Sequence, residues 1–276
     1  MASACPVIRT PGEGERVTQE ERLEYLLRTL LAEQPSYREP RIPMEKEEKK
    51  RLLRALFNVR PPWPISGEFL RVQDAYLREE TLRKGITDAA GLSPVRKGLY
   101  LWRGDITALR ADAIVNAANS RLLGCFVPGH HCIDNAIHTY AGVQLRLACA
   151  DLMARQGHEE PAGRAKLTPA FNLPSRYVLH TVGPIVTGGA TEKDAAQLRS
   201  CYRSCLELAE EQGAESIAFC CISTGEFRYP NEEAAGIAVG AVEEYLRRTK
   251  SGIRVIFNVF KETDESIYRR LLGGGC

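Results

Sequence analysis

The sequence contains no apolar run long enough to form a membrane-spanning helix. A membrane-spanning helix needs about 20 consecutive apolar residues, and no stretch of the 276 residues approaches that length. The first fifteen residues, MASACPVIRTPGEGE, lack the basic segment and the following apolar segment that mark a secretory signal. We therefore expect a cytoplasmic protein with no membrane partner.

The sequence also has little net charge. Its 37 Lys and Arg residues are balanced by 35 Asp and Glu residues, which leaves a formal charge of +2. The stretch 45–54, EKEEKKRLLR, is basic only locally and indicates a solvated helix face. Without a basic face, and without the aromatic pattern of an RRM or OB fold, we expect no nucleic-acid partner.

The nine cysteines do not form a disulfide framework. Their number is odd, and they are spread along the chain without a signal segment, so we expect reduced thiols. Cys5 and Cys276 lie in the terminal segments, whereas the apolar or helical surroundings of five others predict core positions: Cys149, Cys201, Cys205, Cys220 and Cys221.

Residues 1–90 are predicted to form a small helical extension. Helices are indicated over 18–34, where Thr18 and Glu21 have capping-box spacing, and over 45–60 and 66–85. The leucines of the first helix form one apolar stripe that needs burial. This need favours a structural cap over a lid or a substrate-docking platform.

Residues 91–276 are predicted to form an α/β domain. Apolar strands alternate with helical segments, which indicates a largely parallel sheet covered by helices. One of these segments, 132–157, is predicted to be a single helix that ends at Gly157. Ligands of such folds bind at the carboxyl ends of the strands.

Four segments that follow predicted strands carry polar or glycine-rich sequences. They are RGDIT (103–107), VNAANS (115–120), GCFVPGHHC (124–132) and STGEFRYPNEEA (223–234). Asn side chains both donate and accept hydrogen bonds, which suits ribose hydroxyls. In the last segment a strand leads through Gly225 to a helix that begins near Pro230, an arrangement that can bind phosphate.

The third segment has the composition of a metal site. Cys125, His130 and Cys132 offer thiolate and imidazole, which suit zinc, and three ligands leave a fourth position open as in catalytic sites. His131 is an alternative ligand, although we expect it to be exposed. The spacing alone also permits a thiol redox site, a zinc-storage site or a chance cluster.

The residues that follow this loop have structural and chemical interpretations. Asp134 lies in the first turn of the predicted helix, where a carboxylate is favoured by the helix N-terminus or serves catalysis. Asn135 is expected in the same turn. His138 is expected to pack rather than to act as a base, while His180 reads as structural and His158 as exposed.

Together these segments resemble a macrodomain. GDIT, VNAANS, IDNAIHTYAG, HTVGP, STGEFRYP and VIFNVF stand in that family's order between residues 97 and 272, about two-thirds of the chain. The resemblance implies a three-layer α/β/α fold with a mixed, mostly parallel sheet, ADP-ribose as ligand, and, in one branch, its hydrolysis from proteins. The loop GCFVPGHHC before IDN is similar to the zinc-containing subfamily, which also carries a helical N-terminal extension.

The resemblance also implies a set of residue roles. Zn2+ would bind Cys125, His130 and Cys132, and Asp134 and Asn119 would be catalytic. Asn119 and Asn116 would hold the distal ribose. The adenine would contact Asp105, Ile106 and Phe260. The diphosphate would bind the loop Ser223, Thr224, Gly225, Glu226 and Phe227, with Phe227 also near the distal ribose.

The implied function is a zinc-dependent hydrolase that removes mono-ADP-ribose from protein side chains, with a lipoyl-carrier protein as one candidate substrate. Glu226 departs from this expectation because an acid in a phosphate loop repels the ligand unless it points away, for instance toward the attached protein. An ADP-ribose reader without turnover is the alternative.

Overall fold

The computed structural model describes residues 17–33 and 42–273, so the expectations for Cys5 and Cys276 lie outside it. Three helices form the N-terminal part, as predicted: α1 (Gln19–Ala32), α2 (Lys46–Val59) and α3 (Gly67–Lys84). The capping box of Thr18 and Glu21 begins α1, and Gly85 ends α3. Local capping signals therefore set the start of α1 and the end of α3.

The leucine stripe of α1 is buried between the three helices. Burial of one such side chain contributes about 1.5–3 kcal/mol, and the shared cluster joins the three helices. Val143, which lies beyond the extension in the chain, packs in the same cluster. The other buried apolar side chains of the cluster are Leu23, Leu26, Leu27, Leu30, Leu31, Leu53, Leu56, Phe57, Phe69, Tyr76 and Leu77.

Strands and helices alternate through the rest of the chain, as predicted. The strands are β1 (Thr87–Asp88), β2 (Leu99–Arg103), β3 (Leu109–Arg110), β4 (Ala113–Ala118), β5 (Ala165–Pro169), β6 (Tyr177–Val182), β7 (Ser216–Phe219) and β8 (Arg254–Val259). The helices are α4 (Ile133–Ala141), α5 (Val143–Gln156), α6 (Glu192–Glu211), α7 (Asn231–Thr249) and α8 (Glu262–Gly273).

The main sheet has six strands in the order β2-β8-β7-β4-β6-β5. Only β5 runs antiparallel to its neighbour, which confirms the expected mixed, mostly parallel sheet. Consecutive residues of β4 such as Ile114 and Val115 are both 0% exposed. Because consecutive side chains point to opposite faces of a sheet, both faces are covered, as a three-layer α/β/α arrangement requires. The short pair β1 and β3 forms a separate parallel sheet that the sequence did not indicate.

The prediction of one helix over 132–157 was wrong. The helix breaks at Gly142, whose φ of +93° interrupts the ladder and separates α4 from α5. Gln73 of α3 occupies the break, and its Oε1 accepts a hydrogen bond of 2.9 Å from the N–H of Val143. The predicted end at Gly157 is confirmed, with that residue in the left-handed conformation.

Most predicted core cysteines are buried. Cys149, Cys201 and Cys205 are 0% exposed and Cys220 is 7% exposed, whereas Cys221 is only partly buried; β7 ends at Phe219, before both Cys220 and Cys221. Among the described helices, none is long and apolar enough to cross a membrane.

Candidate active site and metal centre

Three of the four predicted segments, together with Phe260, lie at the carboxyl ends of the parallel strands. Strands β2, β4, β7 and β8 are mutually parallel, so their carboxyl ends point the same way. These ends lead to Asp105, Asn119, the loop 223–227 and Phe260, respectively. The topology therefore gathers the expected adenine, ribose and diphosphate contacts along one edge.

The Cys/His loop, residues 124–132, is called the metal loop after its predicted function. It contains a tight turn over Val127–His130. Pro128 and Gly129 are its central residues, Gly129 has a φ of +65°, and the His130 N–H donates to the Val127 carbonyl at 3.2 Å. Pro at the second position and Gly with positive φ at the third are typical of a type II turn. The turn directs the His130 ring back toward Cys125.

The donor atoms of Cys125, His130 and Cys132 lie within 4.8 Å of one another. Cys125 Sγ is 3.4 Å from His130 Nδ1. Because zinc binds thiolate at about 2.3 Å and imidazole at about 2.0 Å, two ligands of one ion lie about 3.5 Å apart, and the cluster fits such an ion after a small contraction. His131 is exposed and lies outside the cluster.

Asp134 lies in the first turn of α4, directly after the Cys132 N-cap. Its Oδ1 accepts a hydrogen bond from Asn116 Nδ2 at 2.8 Å, and its Oδ2 accepts one from Asn119 Nδ2 at 3.3 Å. Burial raises the pKa of Asp134 to about 6, although Asn116, the Arg146 guanidinium and Asn119 act in the opposite direction. The carboxylate is therefore fixed in orientation at the buried side of the metal loop.

Asn116 differs from the expectation that it holds ribose hydroxyls. It is 0% exposed, and its Nδ2 lies 3.2 Å from His180 Nδ1 as well as donating to Asp134. His180 Nε2 lies 3.0 Å from Thr168 Oγ1. Asn116 thus holds Asp134 from the buried side through its hydrogen bond. Of the two asparagines, only the partly buried Asn119 remains accessible to a ribose.

His138 is buried in α4, and burial lowers its pKa well below the usual value, so the ring is neutral. Its Nε2 lies 3.5 Å from Asp134 Oδ1 without the geometry of a hydrogen bond. His138, Cys149 and His180 also form a second close group. Because both nitrogens of His180 already have hydrogen-bond partners, this group has the character of packing, as expected for both histidines.

The segment 223–227 forms a loop with free N–H groups. Ser223 has a φ of +65°, and its carbonyl accepts a hydrogen bond from the Tyr229 N–H at 2.9 Å. In the part of the chain that the structure describes, no backbone carbonyl accepts a hydrogen bond from the N–H groups of Gly225, Glu226 or Phe227. Consecutive free N–H groups before a helix suit an anion, and α7 begins just after Pro230, as predicted.

The HTVGP segment has a steric reason for its glycine. A Cβ at Gly183 would lie 2.0 Å from Ser223 Oγ and 2.8 Å from Ile222. Glycine therefore allows the segment that follows β6 to approach the 223–227 loop closely.

At the expected adenine end, Asp105 Oδ1 accepts hydrogen bonds from the Thr107 N–H and hydroxyl at 2.9 and 2.6 Å. Asp105 Oδ2 accepts one from Lys84 Nζ, at the end of α3, at 2.9 Å. Ile106 is 1% exposed and belongs to the core, whereas Phe260 is 76% exposed just after β8. Phe260 is thus free to pack on a planar ligand.

Sequence reasoning missed the residues that join the extension to the site. Lys84 reaches Asp105, and Arg54 contacts the metal loop. Arg146 donates to the Phe57 and Leu123 carbonyls at 2.9 and 2.6 Å. Asn135 lies in the first turn as expected but is 0% exposed. No periodicity signals these roles, since each depends on contacts between segments distant in sequence.

Comparison with known proteins shows similarity in sequence and in fold. The Macro domain family matches residues 115–238. A protein-ADP-ribose hydrolase from Treponema medium is 55% identical over 260 residues, which cover 93% of this chain and 100% of that protein. A protein-ADP-ribose hydrolase from Staphylococcus aureus strain MRSA252 is 48% identical, covering 90% of this chain and 94% of that protein. A Trypanosoma brucei macrodomain, solved in complex with ADP-ribose, has 33% identity and a TM-score of 0.62, covering 76% of this chain and 92% of that chain.

Proposed function

The chain belongs to the macrodomain family, and from this premise we propose that it is a zinc-dependent hydrolase that removes mono-ADP-ribose from protein side chains. The observation that carries the proposal is the adjacency of two groups. The donor atoms of Cys125, His130 and Cys132 cluster at the start of α4, and the oriented carboxylate of Asp134 lies in the first turn of that helix.

The residues at the carboxyl ends of the parallel strands suit the successive parts of ADP-ribose. The free N–H groups of Gly225, Glu226 and Phe227 would receive the diphosphate. Asp105 would accept a hydrogen bond from the adenine amino group, and the exposed ring of Phe260 would pack on the base. Both the hydrolase relatives and the ADP-ribose complex of the T. brucei macrodomain support this assignment.

Zinc would be held by Cys125, His130 and Cys132. A zinc ion with three protein ligands supplies Lewis acidity and lowers the pKa of a bound water. One of these residues is also held by helix α4: Cys132 is its N-cap, and the Cys132 Sγ accepts a hydrogen bond of 3.4 Å from the Asn135 N–H.

Asp134 would position the attacking nucleophile near the distal ribose and accept its proton. Asn116 and Asn119 fix the two carboxylate oxygens, so no rotation is needed when the substrate arrives. Asn119 would in addition contact a ribose hydroxyl from the accessible side.

The acceptor would be a modified protein in the cytoplasm, for which a lipoyl-carrier protein is one candidate. The exposed apolar residues of the metal loop, Phe126 at 42% and Val127 at 57%, would face such a protein. All seven cysteines of the described residues are free, which agrees with a reducing compartment.

The decisive experiment measures ADP-ribose release from auto-modified acceptors, including a modified lipoyl carrier. Three preparations are compared: protein as purified, protein stripped with a chelator, and stripped protein with zinc restored, with metal content determined in each. We expect release to disappear on stripping and to return with zinc. Persistent release without metal would refute the zinc dependence, and ADP-ribose binding without release from any acceptor would indicate a reader.

A further inference from the structure

We propose that helix α2 braces the metal loop in the conformation that binds metal, with Arg54 and Asn58 as positioning residues. The inference rests on the proposed zinc function and adds a role for the N-terminal extension. The extension then acts as part of the metal centre in addition to covering the domain.

Arg54 contacts the metal loop directly and also contacts Asn135 in the first turn of α4. Its Nη2 donates to the His130 carbonyl at 2.9 Å, and its Nε and Nη2 donate to Asn135 Oδ1 at 3.2 and 3.0 Å. Asn135 Nδ2 in turn donates to the Val127 carbonyl at 3.0 Å. Arg54 therefore fixes the backbone of one metal-ligating residue directly and the other end of the turn through Asn135.

Asn58 lies one helical turn further along α2 and is 0% exposed. Its Oδ1 accepts a hydrogen bond from the Gly129 N–H at 2.9 Å, and its Nδ2 donates to Thr139 Oγ1 at 3.0 Å. One side chain thus ties the centre of the turn to helix α4. Both polar atoms of the Asn58 amide therefore have a hydrogen-bond partner, one in the turn and one in α4.

These contacts bear on metal affinity because the three ligands belong to one short segment, 125–132. Within the turn itself, the His130 N–H to Val127 carbonyl hydrogen bond is a single constraint. Without α2 the segment would sample conformations in which His130 points away from Cys125, and metal binding would have to order it. Removal of supporting hydrogen bonds around metal ligands costs about 10- to 100-fold in affinity.

The test compares Arg54→Met, Arg54→Lys and the control Arg51→Met, because Arg51 lies on the same helix with an exposed side chain. Zinc affinity is measured by competition with a chromophoric chelator, and melting of the metal-free proteins verifies folding. We expect a loss of about 10- to 100-fold for Arg54→Met, a smaller loss for Arg54→Lys, and a change below about twofold for Arg51→Met. If Arg54→Met does not fold, the loss in Arg54→Lys decides.

Hydrogen exchange of the Gly129 amide in the metal-free proteins tests whether α2 holds the loop, independently of whether the protein binds zinc. We expect faster exchange in Arg54→Met and unchanged exchange in Arg51→Met. A folded Arg54→Met protein with wild-type zinc affinity would overturn the brace, as would unchanged Gly129 exchange. A wild-type protein that takes up no zinc would instead overturn the proposed function, and the exchange result would still decide whether α2 holds the loop.

Discussion

Glu226 Oε1 lies 3.3 Å from His130 Nε2, while the other ring nitrogen, Nδ1, lies 3.4 Å from Cys125 Sγ. The acid from the predicted phosphate loop thus faces a predicted metal ligand. A carboxylate on the second nitrogen of a metal-binding histidine fixes the tautomer and raises the basicity of the ligand. At the proposed zinc site this contact would give Glu226 a role that its position in the sequence, among residues expected to receive a diphosphate, did not suggest.

Replacement of Glu226 should separate metal binding from ligand binding. We expect Glu226→Ala to weaken zinc binding by about three- to tenfold, at or below the lower end of the usual range, because the Glu226 side chain is 71% exposed and its charge is screened. ADP-ribose affinity should rise slightly as a negative charge leaves the loop. Chelator competition and calorimetry measure the two affinities, with the exposed Glu211→Ala as control. Unchanged zinc affinity in Glu226→Ala would show that the contact does not support the ligand.

Removal of the Asp134 carboxylate should stop catalysis but spare binding. General acid–base groups contribute about 10²- to 10⁴-fold, so Asp134→Ala should lose at least about 100-fold in the rate of ADP-ribose release. ADP-ribose affinity should stay within about fivefold, because the diphosphate and adenine contacts lie elsewhere. The exposed Asp151→Ala on α5 is the matched control. Release at the control's rate would remove Asp134 from the mechanism.

The fold was largely predictable, because its strands are short apolar runs and several of its helices, such as α1, α3 and α6, have side-chain caps. Thr18 with Glu21 and Gly85 mark their helix ends by local chemistry. The break at Gly142 was not predictable, since a lone glycine within a helical pattern is usually tolerated. It depends on Gln73, about 70 residues earlier in the chain.

The same distinction holds for the site. Cys125, His130 and Cys132 could be grouped from the sequence because they lie within eight residues. Arg54 and Asn135 could not be paired, since 81 residues separate them and nothing local to either records the contact. Asn116 illustrates a third case, in which the residue type suited ribose but burial behind Asp134 assigns it a supporting position.

Two glycines with positive φ provide a matched test of the break. A Cβ at Gly142 would lie 2.6 Å from Gln73 Nε2, whereas a Cβ at Gly157 would meet nothing within 4 Å. We expect Gly157→Ala to cost about 1 kcal/mol, because Gly157 has the ordinary left-handed conformation. Gly142→Ala should cost about 3 kcal/mol, because Gly142 combines a φ of +93° with a ψ of 175°, a region nearly restricted to glycine, and also faces Gln73. Urea unfolding of the metal-free proteins measures both free energies. Equal costs would mean that neither the backbone conformation of Gly142 nor its contact with Gln73 is penalised and that the junction between α4 and α5 is not rigid.

The adenine end should respond to pH through Lys84. Burial disfavours ionisation of Asp105, but hydrogen bonds from Thr107 and from the Lys84 ammonium outweigh it and lower the pKa of Asp105 below its usual value. An Asp carboxyl usually has a pKa of about 3.9. Because the pKa of Asp105 is lower, this carboxyl stays negative at a pH where an ordinary Asp becomes neutral. If Asp105 accepts the adenine amino group, ADP-ribose affinity should therefore hold as the pH falls from 7 to about 4.5.

Lys84→Met removes the ammonium and should raise the pKa of Asp105, so the carboxylate is neutralised at a higher pH and binding declines earlier. The Lys84 ammonium also lies 3.1 Å from the centroid of the Tyr140 ring, and methionine keeps the apolar stem against that ring. Titration of ADP-ribose into metal-free protein between pH 7 and 4 isolates this effect from metal loss. The exposed Lys97→Met serves as control. Coincident pH profiles for Lys84→Met and the control would show that Asp105 does not bind the base in its ionised form.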